Sequence, residues 1–452
     1  MGQAVVDDAP LTLEAMAGYL AAGCKPASEF RIGAEHEKFP FRLNSHAPIA
    51  YEGDDGIFAL MQGLKRFGWD DVREGETLIG LQRGGANVSL EPGGQFELSG
   101  APLETIHDIH EETLQHLAEV KVVGHELGIG FLALGYTPVW TREQVPVMPK
   151  GRYKIMRAYM PKVGKLGLDM MFRTCTVQAN LDFSSEADMV LKFRTSLALQ
   201  PIVTALFANS PFIEGKPSGF LTARANVWTD TDADRTGLLD FVFEDGFGFA
   251  TYANWALDVP MYFAKRDDRY VDLSGRSFRR FVAGDLEEMP GERATMKDWS
   301  DHTTTLFPEV RLKTYLEMRG ADDGPLPRLS ALPALWAGVL YDQAALHAAW
   351  DLCKGWSRAE RHALRSDVNR IGLKAQVGGR TVQAVAQDLL AIGREGLKRR
   401  ARGREGLANE APYLEPLDEI AESGITPAER LLDLYNGPWR GEVRNVFDEA
   451  AY

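Results

Sequence analysis

The sequence predicts an α+β fold built on an antiparallel sheet, and three observations carry that reading. Strand-like and helix-like segments alternate irregularly, without the steady strand–helix–strand rhythm of a parallel sheet. Strand-like runs close together in the chain are broken by a strong turn signal, Glu91-Pro92-Gly93-Gly94. From about Leu335 the chain reads as mostly helical, so residues 1–452 are expected to form a single unit with a helical C-terminal part over 335–452.

Taken in order, Leu11 to Ala22 reads as a short amphipathic helix stopped by Gly23. Arg31 to Leu43 has strand character, and Asn44 to Pro48 is a turn. Asp55 to Phe67 is helical, and Thr77 to Leu98 holds two short strands on either side of the Pro-Gly-Gly turn. Leu103 to Leu127 is a helix, with Ile106, Ile109, Leu114, Leu117, Val120 and Val123 near helical period. Phe131 to Leu134 and Arg173 to Phe183 are strands, Glu186 to Ala208 is a long helix, and Val310 to Arg319 is strand-like. The later helices break at Gly355, Gly378-Gly379 and Pro427. Gly393 to Leu397 recurs at Gly403 to Leu407, which reads as a local duplication on a solvated helix.

The net charge of -14 disfavours nucleic acid and anionic membranes as partners. The three cysteines, Cys24, Cys175 and Cys353, are far apart and odd in number, which excludes C-x-x-C motifs and fits poorly with a secreted disulfide framework. Cys175 reads as a small buried group rather than a nucleophile. Met1 to Pro10 lacks an apolar signal core, and the apolar stretch Ala331 to Tyr341 is too short to span a bilayer. A cytoplasmic protein is expected.

Side chains two apart in a strand share a face. Glu35 and Glu37 therefore project together; Glu91 and Glu97 flank the turn; Gln178, Asn180 and Asp182 oppose Val177, Ala179 and Leu181; Glu317 and Arg319 oppose Leu316 and Met318. A polar strand face is usually only solvated. Such faces normally mix Lys, Thr and Ser with acids, whereas these are dominated by glutamates and amides. If the strands share a sheet, five glutamates converge. Two carboxylates about 4 Å apart repel by roughly 4 kcal/mol at an effective dielectric of 20, so five together are untenable unless some are protonated or cations intervene. Oxygen donors suit Mg²⁺ or Mn²⁺, which also hold phosphates, and exclude Zn²⁺. His36 should point to the opposite face, in a core or supporting role.

Gln144 to Leu168 has no acidic residue but carries Lys150, Arg152, Lys154, Arg157, Lys162 and Lys165. Its glycines and prolines predict a mobile basic loop suited to nucleotide phosphates or a substrate carboxylate. There is no G-x-x-x-x-G-K-[ST] motif, so an ATP site here is not a P-loop.

These acidic segments, with Met148 to Tyr153, Phe172 to Ser185, Ala208 to Phe212, Ala256 to Tyr262, Thr314 to Gly320 and Leu434 to Gly437, closely resemble the plant and proteobacterial type of glutamate–cysteine ligase. The likeness runs from about Leu11 to Tyr452. It implies a curved antiparallel sheet of the glutamine-synthetase type surrounded by helices. It also implies ATP- and Mg²⁺-dependent ligation of L-glutamate to L-cysteine through γ-glutamyl phosphate. The implied metal-side residues are Glu35, Glu37, Glu91, Glu97, Gln178 and Glu317, with Mn²⁺ as a substitute ion. Arg319, Arg152 and Arg157 would act on the reacting groups. Asn180, Arg173, Trp255 and Tyr262 would hold substrate, and Lys154, Arg311 and Lys313 the nucleotide. His110, Leu273, Glu288 and Ser330 stand where plant members carry regulatory cysteines, so disulfide switching and redox-driven dimerisation are not expected; a monomer or non-covalent homodimer is. The alternatives are a sister ligase with another amine acceptor and a silent metal- or nucleotide-binding module. Glu317→Gln or Glu97→Gln is expected to abolish turnover and leave the fold intact.

Overall fold

The computed structural model describes residues 11–267 and 269–452; the expectation for Met1 to Pro10 lies outside them. The centre of the molecule is a nine-stranded sheet. Its strands are β1 (Ile32–Arg42), β2 (Asp70–Glu74), β3 (Thr77–Arg83), β4 (Ala86–Leu90), β5 (Phe96–Ser99), β6 (Ile129–Leu132), β7 (Thr176–Leu181), β8 (Val310–Leu312) and β9 (Leu316–Asp322). They run in the order β8-β9-β7-β1-β5-β4-β3-β2, with β6 paired to β1, and every pairing is antiparallel.

Two expectations need refinement. Thr77 to Leu98 forms three strands, because Gly84 and Gly85, both at positive φ (57° and 92°), add a second tight turn. Val310 to Arg319 is a hairpin, folded back where the Lys313 N–H meets the Tyr315 carbonyl. That fold sets Arg311 directly opposite Glu317.

One face of the sheet is greasy. Phe96, Leu98, Val177, Leu181, Leu316 and Met318 are all buried. Helices α1 (Ile106–Glu126) and α6 (Leu326–Leu340) pack on this side, α1 starting at a Thr105/Asp108 capping box. His36 and Lys38 point into it. Lys38 Nζ donates to the Phe96 carbonyl (3.0 Å) and lies 3.2 Å from His116 Nε2. The opposite face carries the acids.

Helices α2 (Gly151–Val163), α3 (Glu186–Leu206), α4 (Ala223–Val227) and α5 (Met296–Thr303) belong to the middle of the chain. Helix α2 corrects the reading of a basic loop. Tyr153, Met156, Tyr159 and Met160 recur at helical spacing and are buried, so packing decides the conformation although Pro161 lies in the last turn. The helical C-terminal part begins at Leu326, earlier than expected. It continues through α7 (Val382–Arg400), α8 (Glu415–Ser423) and α9 (Pro427–Asn436), and the helices do break before Pro427, which is the first residue of α9. The duplicated pentapeptide is not a solvated repeat. Gly393 and Gly396 let α7 lie against α6, where a Cβ on Gly396 would fall 1.8 Å from the Gly338 carbonyl oxygen. The second copy lies past the helix end, in a turn bridged by Arg404 and Leu407. Among the described residues no helix is long and apolar enough to cross a membrane.

Candidate active site

The acid face is assembled by register. Glu37 sits directly opposite Glu97, which sits opposite Ser89 on the next strand. Glu35 sits opposite Gln178 on the other side of β1. Asn180 sits opposite Glu317, and Glu317 opposite Arg311. Chain segments up to about 280 residues apart thus place Glu35, Glu37, Glu97, Gln178, Asn180, Glu317 and Arg311 side by side on one surface. Glu91 joins them from the turn between β4 and β5.

Each carboxylate is turned to a protein donor. Glu35 accepts from Asn180 Nδ2 (2.7 Å) and Gln178 Nε2 (3.2 Å). Glu37 accepts from the Thr176 N–H at 3.0 Å. Glu97 accepts from Ser89 Oγ (2.8 Å) and Ser99 Oγ (3.2 Å). These are mostly neutral donors, and they do not cancel the charge. Burial, with Glu317 and Glu97 nearby, pushes Glu35 up to about 7. Burial, then Glu97 and Glu91, raises Glu37 well above the usual carboxylate range. Burial and Glu91 raise Glu97. The expected convergence of glutamates therefore carries a real electrostatic cost. Among the described residues no three His, Cys, Asp or Glu side chains are grouped closely enough to hold an ion as they stand.

Glu317 departs from this pattern. It is fully buried, and Arg311 grips it through Nε and Nη2 (2.9 and 2.8 Å). Arg319 Nη1 bonds it as well, and Lys313 Nζ lies 3.5 Å away. Burial alone would raise its pKa, but Arg311, Lys313 and Arg319 outweigh burial and hold the carboxyl far below its ordinary value. As placed, Glu317 is paired with these cations, and Arg311 and Lys313 are both turned to Glu317. Arg319 Nη1 also reaches Gln178 Oε1 at 2.7 Å.

A cavity of about 710 Å³ opens above the central strands. Glu37, Glu91, Arg152, Arg319 and Arg224 supply its charges, and Met156, Met171, Trp228 and Phe307 give it apolar walls. Lys150, at the N-terminus of α2, is pulled down to about 8 by burial and by Arg152.

Five expected residues lie elsewhere. Arg157 and Lys154 are exposed, on the side of α2 away from the sheet; Lys154 lines a shallow groove with Glu74 and Tyr270. Helical geometry explains this, because only one stripe of a helix can face the cavity. Arg173 is buried and held by Asp169 (2.5 Å) and Glu214 (2.7 Å), a structural ion cluster. Trp255 packs on Tyr252 and Phe241, with ring centroids 5.1 and 5.8 Å away. Tyr262 is buried beneath Phe307 with the Arg235 guanidinium 3.9 Å above its ring. None of the five lines the cavity.

Arg224 is the residue that the sequence reading missed. It is 3% exposed, lines the cavity, and donates from Nη2 to the Arg319 carbonyl at 2.8 Å. Its Nε is buried without a partner, and no carboxylate pairs with it among the described residues. The supporting framework is Asp322, which accepts from the Asn209 N–H and from the hydroxyls of Ser210 and Thr222, Thr222 being the cap of α4. A lone arginine in the otherwise uncharged run Leu221 to Trp228 was the available signal.

Comparison with known proteins agrees with this geometry. Residues 31–449 match the family described as Glutamate-cysteine ligase family 2. The chain is 56% identical to the chloroplastic glutamate–cysteine ligase of Arabidopsis thaliana, covering 100% of this chain and 85% of that one. It is 55% identical to the chloroplastic enzyme of Medicago truncatula, covering 99% and 87%. Among solved structures, a glutamate–cysteine ligase from Francisella tularensis in complex with AMP superposes with a TM-score of 0.57 at 10% identity, covering 93% of this chain and 87% of that one. That likeness shows the shared fold, a mixed assembly of helices and an antiparallel sheet of the glutamine-synthetase kind. With a matched segment spanning most of the sequence and more than half of all positions shared with plant relatives, the chain belongs to glutamate–cysteine ligase family 2.

Proposed function

We propose that this protein uses ATP to join the side-chain carboxylate of L-glutamate to the amine of L-cysteine, forming γ-glutamylcysteine, and that residues 1–452 act as one catalytic unit. The observation that carries the reading is that Glu37 and Glu91 open into the same cavity as Arg152, Arg224 and Arg319, with Glu97, also raised, directly opposite Glu37 on the sheet. Cytoplasmic residence, expected from the sequence, is a proposal set beside relatives whose names say chloroplastic. Cys24, Cys175 and Cys353 are free, so a dimer, if formed, is proposed to be non-covalent.

The donor set fits a hard divalent cation. Its atoms are all oxygen, and burial with mutual repulsion has raised Glu35, Glu37 and Glu97, a cost that a cation removes. Glu37, Glu91 and Glu97 would hold one ion, and Glu35 with Gln178 would contribute to a second. Bound Mg²⁺ or Mn²⁺ would supply charge neutralisation for phosphate oxygens beside a reacting carboxylate.

The chain's own groups account for the rest. A γ-carboxylate oxygen of glutamate attacks the terminal phosphorus of ATP, and ADP leaves. The cysteine nitrogen then attacks the acyl carbon, phosphate leaves, and the nitrogen loses a proton. Phosphoryl transfer needs positioning and charge compensation more than covalent help. Arg152 and Arg319 hold developing negative charge on the transferred group. Arg224, a buried cation whose guanidinium forms no ion pair among the described residues, holds a substrate carboxylate. The methionine and aromatic walls exclude water, which would otherwise hydrolyse the acyl phosphate.

Phosphate release from the purified chain, measured with ATP, Mg²⁺, glutamate and cysteine and with each omitted in turn, tests the reading. Release should need all four components. Equal release without cysteine, or without glutamate, would overturn it.

A further inference from the structure

A second cavity, of about 890 Å³, lies between α6, α8, α9 and the chain's last residues. Its walls are rigid and apolar, built from Pro325, Pro327, Pro416, Pro427, Ile420 and Leu431. Two arginines reach it, and they differ. Arg430 is neutralised by Glu419 at 2.7 Å. Arg328 is not: among the described residues its side chain makes no hydrogen bond or ion pair, and its Nη1 is enclosed without an acceptor.

A buried guanidinium N–H without a partner costs on the order of 1–3 kcal/mol, more when charged. The nearest acid in sequence, Asp323, makes no hydrogen bond to it; the Asp323 oxygens lie 3.0 and 2.8 Å from the Tyr452 hydroxyl, and the charge of Asp323 offsets the burial of Arg328 only in part. Burial pulls Arg328 down to about 10 against the attraction of Asp323. The guanidinium is held in place from behind: a Cβ on Gly324 would lie 2.8 Å from Arg328 Nε. The N-terminus of α6 opens beside it, capped by Pro325 without a side-chain bond, which adds a partial positive charge to the same end of the cavity. Every other charge at the site is either paired or, like Glu449, exposed.

We propose that this cavity is a binding site for a small organic carboxylate with an apolar body, the carboxylate seated on Arg328 at the N-terminus of α6 and the body against the proline and aliphatic walls. The site is separate from the catalytic cavity and shares no lining residue with it.

The test is isothermal titration calorimetry on the full chain, which needs no turnover and so stands apart from the ligase reading. The probes are N-acetyl-L-leucine and 4-phenylbutyrate, with N-acetyl-L-leucinamide as the neutral control, all in saturating L-glutamate. Saturable binding of a carboxylate probe, absent for the amide, is expected. Arg328→Gln should weaken it by about tenfold or more, and Arg328→Lys should retain part of it. Because Arg328 has no bonded partner, neither variant leaves an acceptor stranded, and melting curves should stay close to the parent's. Should Arg328→Gln fail to fold, the comparison of acid with amide on the parent chain still decides. No saturable heat below about 10 mM, equal binding of acid and amide, or undiminished binding to a folded Arg328→Gln each overturns the proposal.

Discussion

The centre of the acid face and its β8–β9 end are built from the same residue type and behave in opposite ways. At the end, Glu317 is surrounded by Arg311, Lys313 and Arg319 and stays ionised without help. At the centre, Glu37 and Glu97 face each other with hydroxyls and a backbone N–H for company, and both resist ionisation. The lesson is that a buried carboxylate announces its role through its partners. One that is already paired holds the scaffold. One that is not leaves room for a ligand's charge.

The strongest break of this contrast is Glu317→Gln. It strands three cations in the interior, and losing one partner of a buried ion cluster costs about 3–5 kcal/mol. The melting temperature should fall sharply, contrary to the sequence-based expectation of an intact fold; calorimetric unfolding checks this. Glu37→Gln and Glu97→Gln should do the reverse. Stability should hold or rise, because repulsion is removed, while kcat/KM falls by about 10²–10³-fold, as read by coupled phosphate release. A large loss of stability in Glu97→Gln would erase the distinction between the two regions.

Metal ions sharpen the same comparison. Mg²⁺ at a hundred times its dissociation constant should stabilise the parent by about 2.7 kcal/mol, and chelation should remove that gain. The response should vanish in Glu37→Gln and Glu97→Gln. A smaller effect belongs to the β8–β9 end, where the Thr304 carbonyl at the C-terminus of α5 accepts from Arg311 Nη1. His302 in α5 is buried against the Ala256 carbonyl (2.8 Å), and burial, reinforced by Arg235, lowers it to about 4. The unfolded chain binds its proton near pH 6.5, and the folded chain does not until about 4, so stability drops as pH falls through that window. The loss at pH 5 should be on the order of 2 kcal/mol, and His302→Gln should flatten the profile in denaturant titrations.

The acids themselves were legible because strand parity is local: Glu35 and Glu37, or Gln178 and Asn180, must share a face once the segment is extended. The helix α2 was misread because its charge run and flanking glycines and prolines outweighed the spacing of Tyr153, Met156 and Met160. Arg224 escaped because nothing in its own segment marks it; its importance comes from Asp322 and from a cavity walled by other parts of the chain.

Alternation, turn chemistry and composition, which need only near neighbours, thus determined that a sheet with one acidic face exists and which glutamates lie on it. Register, charge pairing and enclosure were decided by the tertiary structure alone. Whether Glu37 meets Glu97 or Glu317 meets Asn180 depends on which distant strands lie side by side, and the energy of a buried charge depends on every group within a few ångströms, whatever its place in the chain.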